Sequence, residues 1–137
     1  MRNFLTLLFF VGCFSILFAD ISVKSFRKLE NDLDARVHNP LTDQNGEVCA
    51  IIKVVTTQTG FLFDGGSMGI VKTVQKPAEI WVYVPWGLKR LTITHPQLGL
   101  LRDYMIPVSI EKATVYELVL VNKLYRLLRL EPNAIAW

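Results

Sequence analysis

The residues able to do chemistry are few, and their spacing scatters them. His38 and His95 stand far apart, and neither has a second His or Cys at ligand spacing, so no metal site is expected. Cys49 lies within Val48-Cys49-Ala50-Ile51-Ile52, an apolar run that predicts a buried, inert thiol rather than a nucleophile paired with either histidine. Asp43-Gln44-Asn45-Gly46-Glu47 has the oxygen ligands of a calcium loop at alternate positions. It lacks the distal Glu and ligand spacing of an EF-hand, and a hairpin turn is the better expectation. Asp64-Gly65-Gly66-Ser67-Met68-Gly69 is glycine-rich, but no Lys-Ser/Thr and no helix follow it as a phosphate loop requires. Asp32 and Asp34 could share a face of an extended segment. Paired acids for glycoside cleavage come from separate strands lining a cleft, so these two read as solvated loop acids. The expectation is a chain with no catalytic residue, no metal and no cofactor.

Aromatic side chains are the stronger candidates. Trp81 and Tyr83 alternate with Ile80, Val82 and Val84, so they occupy the other face of one strand. That face either packs under a second layer or forms a sticky surface. Trp86 sits at a turn where no pattern buries it. Packing under a second layer is the favoured expectation for Trp81 and Tyr83; Trp86, Trp81 and Tyr83 are the candidate ligand-contact residues, and a planar exposed row of them would suit stacking on a sugar.

The elements that must position these residues read as strands. Short apolar runs alternate with turn residues. A first strand spans Asp20 to Leu29 with Ile21, Val23 and Ser25 on one face, and Glu30 to Arg36 holds a turn or a single helical turn. Asn45-Gly46 suits a type I′ turn. The strand from Glu47 to Thr56 is apolar on both faces up to Ile52, which predicts a central place. Phe61 to Phe63 and Gly69 to Val74 are short strands. Ile80 to Val84 and Lys89 to Thr94 read as a hairpin closed by Pro85-Trp86-Gly87, with Gly87 in the left-handed region. Leu101 to Ile110 carries Tyr104, Ile106, Val108 and Ile110 in alternation, and Pro107 marks it as an edge strand or a bulge. Thr114 to Val121 is the last strand. The fold class expected is all-β, an antiparallel β-sandwich of about seven to nine strands over residues 20–121.

Residues 1–19 read as a signal peptide. Arg2 precedes an uncharged run of about 15 residues, Phe4 to Phe18, and Ala19 offers a small residue before Asp20. Spanning a bilayer takes about 18–20 residues. An uncleaved anchor and a lipoprotein with its lipid on Cys13 are the alternatives, although Phe14 to Phe18 stays apolar past that cysteine. Without residues 1–19 the chain keeps fourteen basic and twelve acidic residues, too scattered for a nucleic-acid footprint. Residues 122–137 form a tail in which Val121, Leu124, Leu127 and Leu128 fall near helical spacing, with Lys123, Arg126 and Arg129 between them. Glu131-Pro132 stops the pattern.

The order of punctuation from Phe61 to Tyr104 resembles a PEGA domain, a small surface-associated β module. Phe61-Leu62-Phe63-Asp64-Gly65 matches its strand ending in Asp-Gly, Gly69 its next glycine, and Pro85-Trp86-Gly87 with Leu88 to Ile93 its Pro-x-Gly turn and alternating strand. Leu98-Gly99 stands near its Gly-Tyr step without the aromatic, and Tyr104 comes later. The wider span Ser25 to Leu120 resembles the N-terminal domain of secreted proteins of Bacteroides-type bacteria, through Asn31 to Val37, Asp43 to Val54 and Glu79 to Pro85. In those proteins PEGA repeats or a formylglycine-generating-enzyme-like domain often follow. The resemblance implies no catalytic residues. The expected function is a non-enzymatic, exported module at the periplasm or cell surface, binding or scaffolding a protein. The alternative is a carbohydrate-binding module for cell-envelope polysaccharide. The only membrane contact expected is through the signal segment or a lipid on Cys13.

Overall fold

A computed structural model describes residues 20–122 of the chain. The expectations of a signal peptide over residues 1–19 and of a helical tail over residues 122–137 lie, Asn122 apart, outside the described residues. The described chain forms β1 (Ile21–Leu29), β2 (Ala50–Val55), β3 (Leu62–Asp64), β4 (Lys72–Gln75), β5 (Glu79–Val84), β6 (Arg90–His95), β7 (Gly99–Met105) and β8 (Val115–Asn122). Five strands make one sheet in the order β1-β8-β2-β5-β4, and three make a second in the order β3-β6-β7. All pairings are antiparallel except β2 with β8. This is the expected all-β sandwich.

Alternation builds the core between the sheets. Ile52 and Val54 of β2, Val82 and Val84 of β5, and Tyr116 and Leu118 of β8 pack with Leu91 and Ile93 of β6, all fully or nearly fully buried. At one edge Phe26 of β1 bridges the layers, its ring 5.7 Å from Tyr116 and 6.4 Å from Tyr104 of β7. The Tyr116 hydroxyl donates to the Ser109 carbonyl at 2.9 Å and accepts from the Glu111 N–H at 2.8 Å, which ties the segment between β7 and β8 to the core.

The structure corrects four local expectations. In β1 the pairing shifts between Val23 and Ser25, leaving Lys24 as an extra residue. That bulge reverses the phase, so Phe26 and not Ser25 follows Ile21 and Val23 on the core face. The turn at Asn45-Gly46 has positive φ at Gly46 alone (79°), so it is not type I′. Its shape comes from Asp43, whose Oδ1 accepts the N–H groups of Asn45 and Glu47 at 2.8 and 3.0 Å. In the 101–110 segment Val108 is exposed, because β7 ends at Met105 before Pro107.

The fourth correction is the largest. Pro85-Trp86-Gly87 does not close a hairpin, because β5 and β6 belong to different sheets. The chain arches from one layer to the other there. Leu88, 2% exposed, drops into the gap, and the Gly87 N–H donates to the Ile110 carbonyl at 2.8 Å. Gly87 does hold the expected left-handed conformation, with φ 82°.

Residues 30–49 form a strap over the outer face of the larger sheet. It contains one wide helical turn (Asp34–His38) and the turn at Asp43–Gly46. Beneath it lies a second apolar cluster of Ala35, Cys49, Ile51, Trp81, Tyr83 and Val115. The central strand β2 is thus covered on both faces, as its unbroken apolar run requires.

Candidate functional site

The strap meets the sheet at a charged cluster centred on Lys53. Within β2, Lys53 is the one charged residue of Ala50–Val55, and it points to the outer face. It is only 8% exposed. Its ammonium donates to Asp32 Oδ2 and Asp34 Oδ2, both at 2.6 Å, and lies 4.6 Å from the centroid of the Trp81 ring. Asp32 Oδ1 accepts the Asp34 N–H at 3.0 Å, and Asp34 Oδ1 lies 3.1 Å from His38 Nδ1. The register explains the assembly. Lys53 faces Trp81 across the β2–β5 ladder and Glu117 across the β2–β8 ladder. Glu117 is taken by Arg27 of β1 at 2.9 Å.

The electrostatics of this cluster favour holding over reacting. The Lys53 ammonium, hydrogen-bonded to Asp34, holds that carboxyl below the usual aspartate value against the effect of partial burial, and His38 adds to the lowering. Burial opposes the charge on Lys53, but the hydrogen bonds and charges of Asp32 and Asp34 outweigh it and push its pKa up. At neutral pH Lys53 is therefore an ammonium and no nucleophile, and Asp34 is an ionised, weak base with no proton to give. A recess of about 560 Å³ borders the cluster, with Arg27, Asp32, Asp34 and His38 among its walls.

Trp81 and Tyr83 lie side by side on β5 beneath the strap, 8% and 6% exposed. The Trp81 Nε1–H donates to Glu79 Oε1 at 2.7 Å, and Lys76 approaches the same ring at 4.6 Å. The Tyr83 hydroxyl donates to the Asn39 carbonyl at 3.0 Å, and burial raises its pKa. Trp86 is 48% exposed at the arch, with the Lys112 ammonium 4.9 Å from its ring. The structure brings Trp81 and Tyr83 together in a covered cluster and leaves Trp86 outside it, so the three do not form an exposed row.

The remaining sequence candidates have structural partners. Burial pushes the Cys49 thiol up to about 11, with the charge of Asp43 adding to the effect, which disfavours the reactive thiolate. Asp43 is the turn acceptor described above, while Glu47 turns away to Lys112 at 2.9 Å. Asp64 Oδ1 accepts the Gly66 N–H at 2.8 Å and so shapes its own glycine turn. His95 is a buried clip at the end of β6. Its Nε2–H donates to the Thr59 carbonyl at 2.8 Å, and Nδ1 accepts the N–H groups of Gln97 and Leu98, each at 3.1 Å. Among the described residues no three or more His, Cys, Asp or Glu converge as a metal would require.

Asp32 and Asp34 correct the sequence reading most directly, since they are partly buried partners of Lys53 and not solvated loop acids. A signal for this was present. A lysine inside an otherwise apolar central strand has to find a counter-charge, and Asp32-x-Asp34 is the acidic pair upstream of it. Comparison of the chain with protein-family models, with curated proteins and with solved structures gives no match.

Proposed function

We propose that the chain is a non-enzymatic, exported β-sandwich module that binds or scaffolds a protein at the cell envelope. The observation that carries this reading is the division of labour among its polar and aromatic side chains. The charged cluster is closed on itself, with Lys53 committed to Asp32, Asp34 and Trp81. Trp86, beside Lys112 at the arch, is left facing solvent, where an aromatic is a favoured anchor for a protein partner. The resemblance of Phe61 to Tyr104 to PEGA modules and the uncharged run Phe4 to Phe18 support the surface location. The second reading, carbohydrate binding, rests on Trp86 alone as a stacking platform.

Photo-crosslinking in the producing cell tests the reading. The crosslinking residue replaces Trp86 or, as a control, exposed Lys72 on β4. A defined protein adduct from position 86 alone is the expected result. The same adducts from both positions would overturn the reading, as would recovery of the chain from the cytosol with Met1 retained. Electrophoresis through gels containing soluble polysaccharide examines the second reading. Retardation that Trp86→Ala abolishes would put carbohydrate in place of protein as the ligand.

A further inference from the structure

We propose that the apolar recess at one end of the sandwich is the seat of this chain's own segment 123–137. The recess has a volume of about 300 Å³, and its walls include Ile21, Phe61, Leu98, Leu120 and Val121. Among the described residues, its only charged lining residue is Lys24. Covering an apolar concavity is favourable, because apolar surface removed from water contributes about 25 cal/mol per Å².

Three observations select the occupant. The first is continuity. Val121 is itself part of the wall, and Leu124 follows three residues later. At about 3.3 Å per extended residue, Leu124 stays within roughly 10 Å of that wall. The second is pattern. Leu124, Leu127 and Leu128 fall near helical spacing and Lys123, Arg126 and Arg129 interleave with and flank them, a pattern that would give a helix one apolar side. The third is charge. Among the described residues the recess offers no acid to draw basic side chains inward, and the charge of Lys24 would repel them. Residues 1–19 also precede the domain at this end, since Ile21 is part of the wall. Their run from Phe4 to Phe18 is uncharged throughout and apolar on every side, broken only by Thr6 and Ser15, which suits a bilayer or translocation machinery better than a one-sided recess. This proposal does not depend on the partner-binding reading above.

Disulfide trapping in the exported full chain tests it, on a Cys13→Ser background. One variant carries Leu98→Cys with Leu127→Cys. The control carries Leu62→Cys with Leu127→Cys, where Leu62 is exposed on the outer face of the smaller sheet. Under mild oxidation the first pair should close within the monomer at least tenfold more efficiently than the control. Equal closure of both pairs would overturn the proposal, and closure only as covalent dimers would give the recess to a second copy's tail. A full chain with Leu124→Ser, Leu127→Ser and Leu128→Ser provides a second readout. It should retain its strand circular dichroism and raise the fluorescence of an apolar dye several-fold. Unchanged dye fluorescence would show that these leucines do not cover the recess.

Discussion

The Lys53 ammonium lies 4.6 Å from the centroid of the Trp81 ring, directly across the β2–β5 ladder. This contact lies within the sheet, at the point where the strap meets it. Trp81 supplies the negative face of its ring, Asp32 and Asp34 supply two carboxylates from the strap, and one buried cation satisfies all three. What looks like a reactive cluster is an ionic clasp holding residues 30–49 over Trp81 and Tyr83.

Lys53→Met should remove the clasp and leave Asp32 and Asp34 without their ammonium partner. A loss of about 2–4 kcal/mol in chemical denaturation at neutral pH is expected. The triple variant Asp32→Asn, Asp34→Asn, Lys53→Met should recover much of that loss, since no uncompensated charge remains. If the single and triple variants are equally unstable, packing of the lysine stem, and not its charge, holds the strap.

The clasp also sets the pH range of stability. Asp34 has a folded pKa below its ordinary 3.8, so its contribution is full above that value and is lost as pH falls through the lower, folded pKa. Lys53 has a folded pKa above its ordinary 10.5, so its contribution is full below that value and is lost as pH rises through the higher, folded pKa. Strap release should therefore occur at both pH extremes. Trp81 fluorescence followed against pH should change at both ends in the parent chain. In Lys53→Met the alkaline change should vanish.

Gly87→Val tests the arch. A Cβ there would meet only Met68 Cε, at 3.9 Å, so space is not the obstacle. The cost is the left-handed φ of 82°, roughly 1–2 kcal/mol for a valine and far less for an asparagine. Thermal unfolding should rank Gly87→Asn close to the parent and Gly87→Val clearly below it. Equal loss in both would mean that strain at this position does not govern the arch.

His95→Ala should leave the Thr59 carbonyl and the N–H groups of Gln97 and Leu98 without their partner. A loss of about 2 kcal/mol or more is expected, read by denaturant unfolding. Hydrogen exchange should quicken at Gln97 and Leu98 first. Uniform quickening over the whole domain, with none at those two amides beyond the rest, would count against a local clip.

The strands were legible in the sequence because alternation at period two depends only on neighbouring residues. The unbroken apolar run around Cys49–Ile52 marked β2 as central, and the need for φ > 0 at Gly87 was set by a turn at Pro85-Trp86-Gly87. Which sheet each strand joined was not legible. A hairpin and an arch place Ile80, Val82, Val84, Leu91 and Ile93 on the same apolar side, so both satisfy one pattern. The decision came from pairing partners far along the chain: β2 and β4 for β5, and β3 and β7 for β6. Burial of Trp81 and Tyr83 was likewise decided by the strap, a segment with little apolar periodicity of its own. It is held there because Lys53 in the sheet needs the charges of Asp32 and Asp34. Local spacing determined which residues turn inward, while contacts distant in sequence decided what covers them, because desolvating a charge or an aromatic face depends on what arrives from elsewhere in the chain.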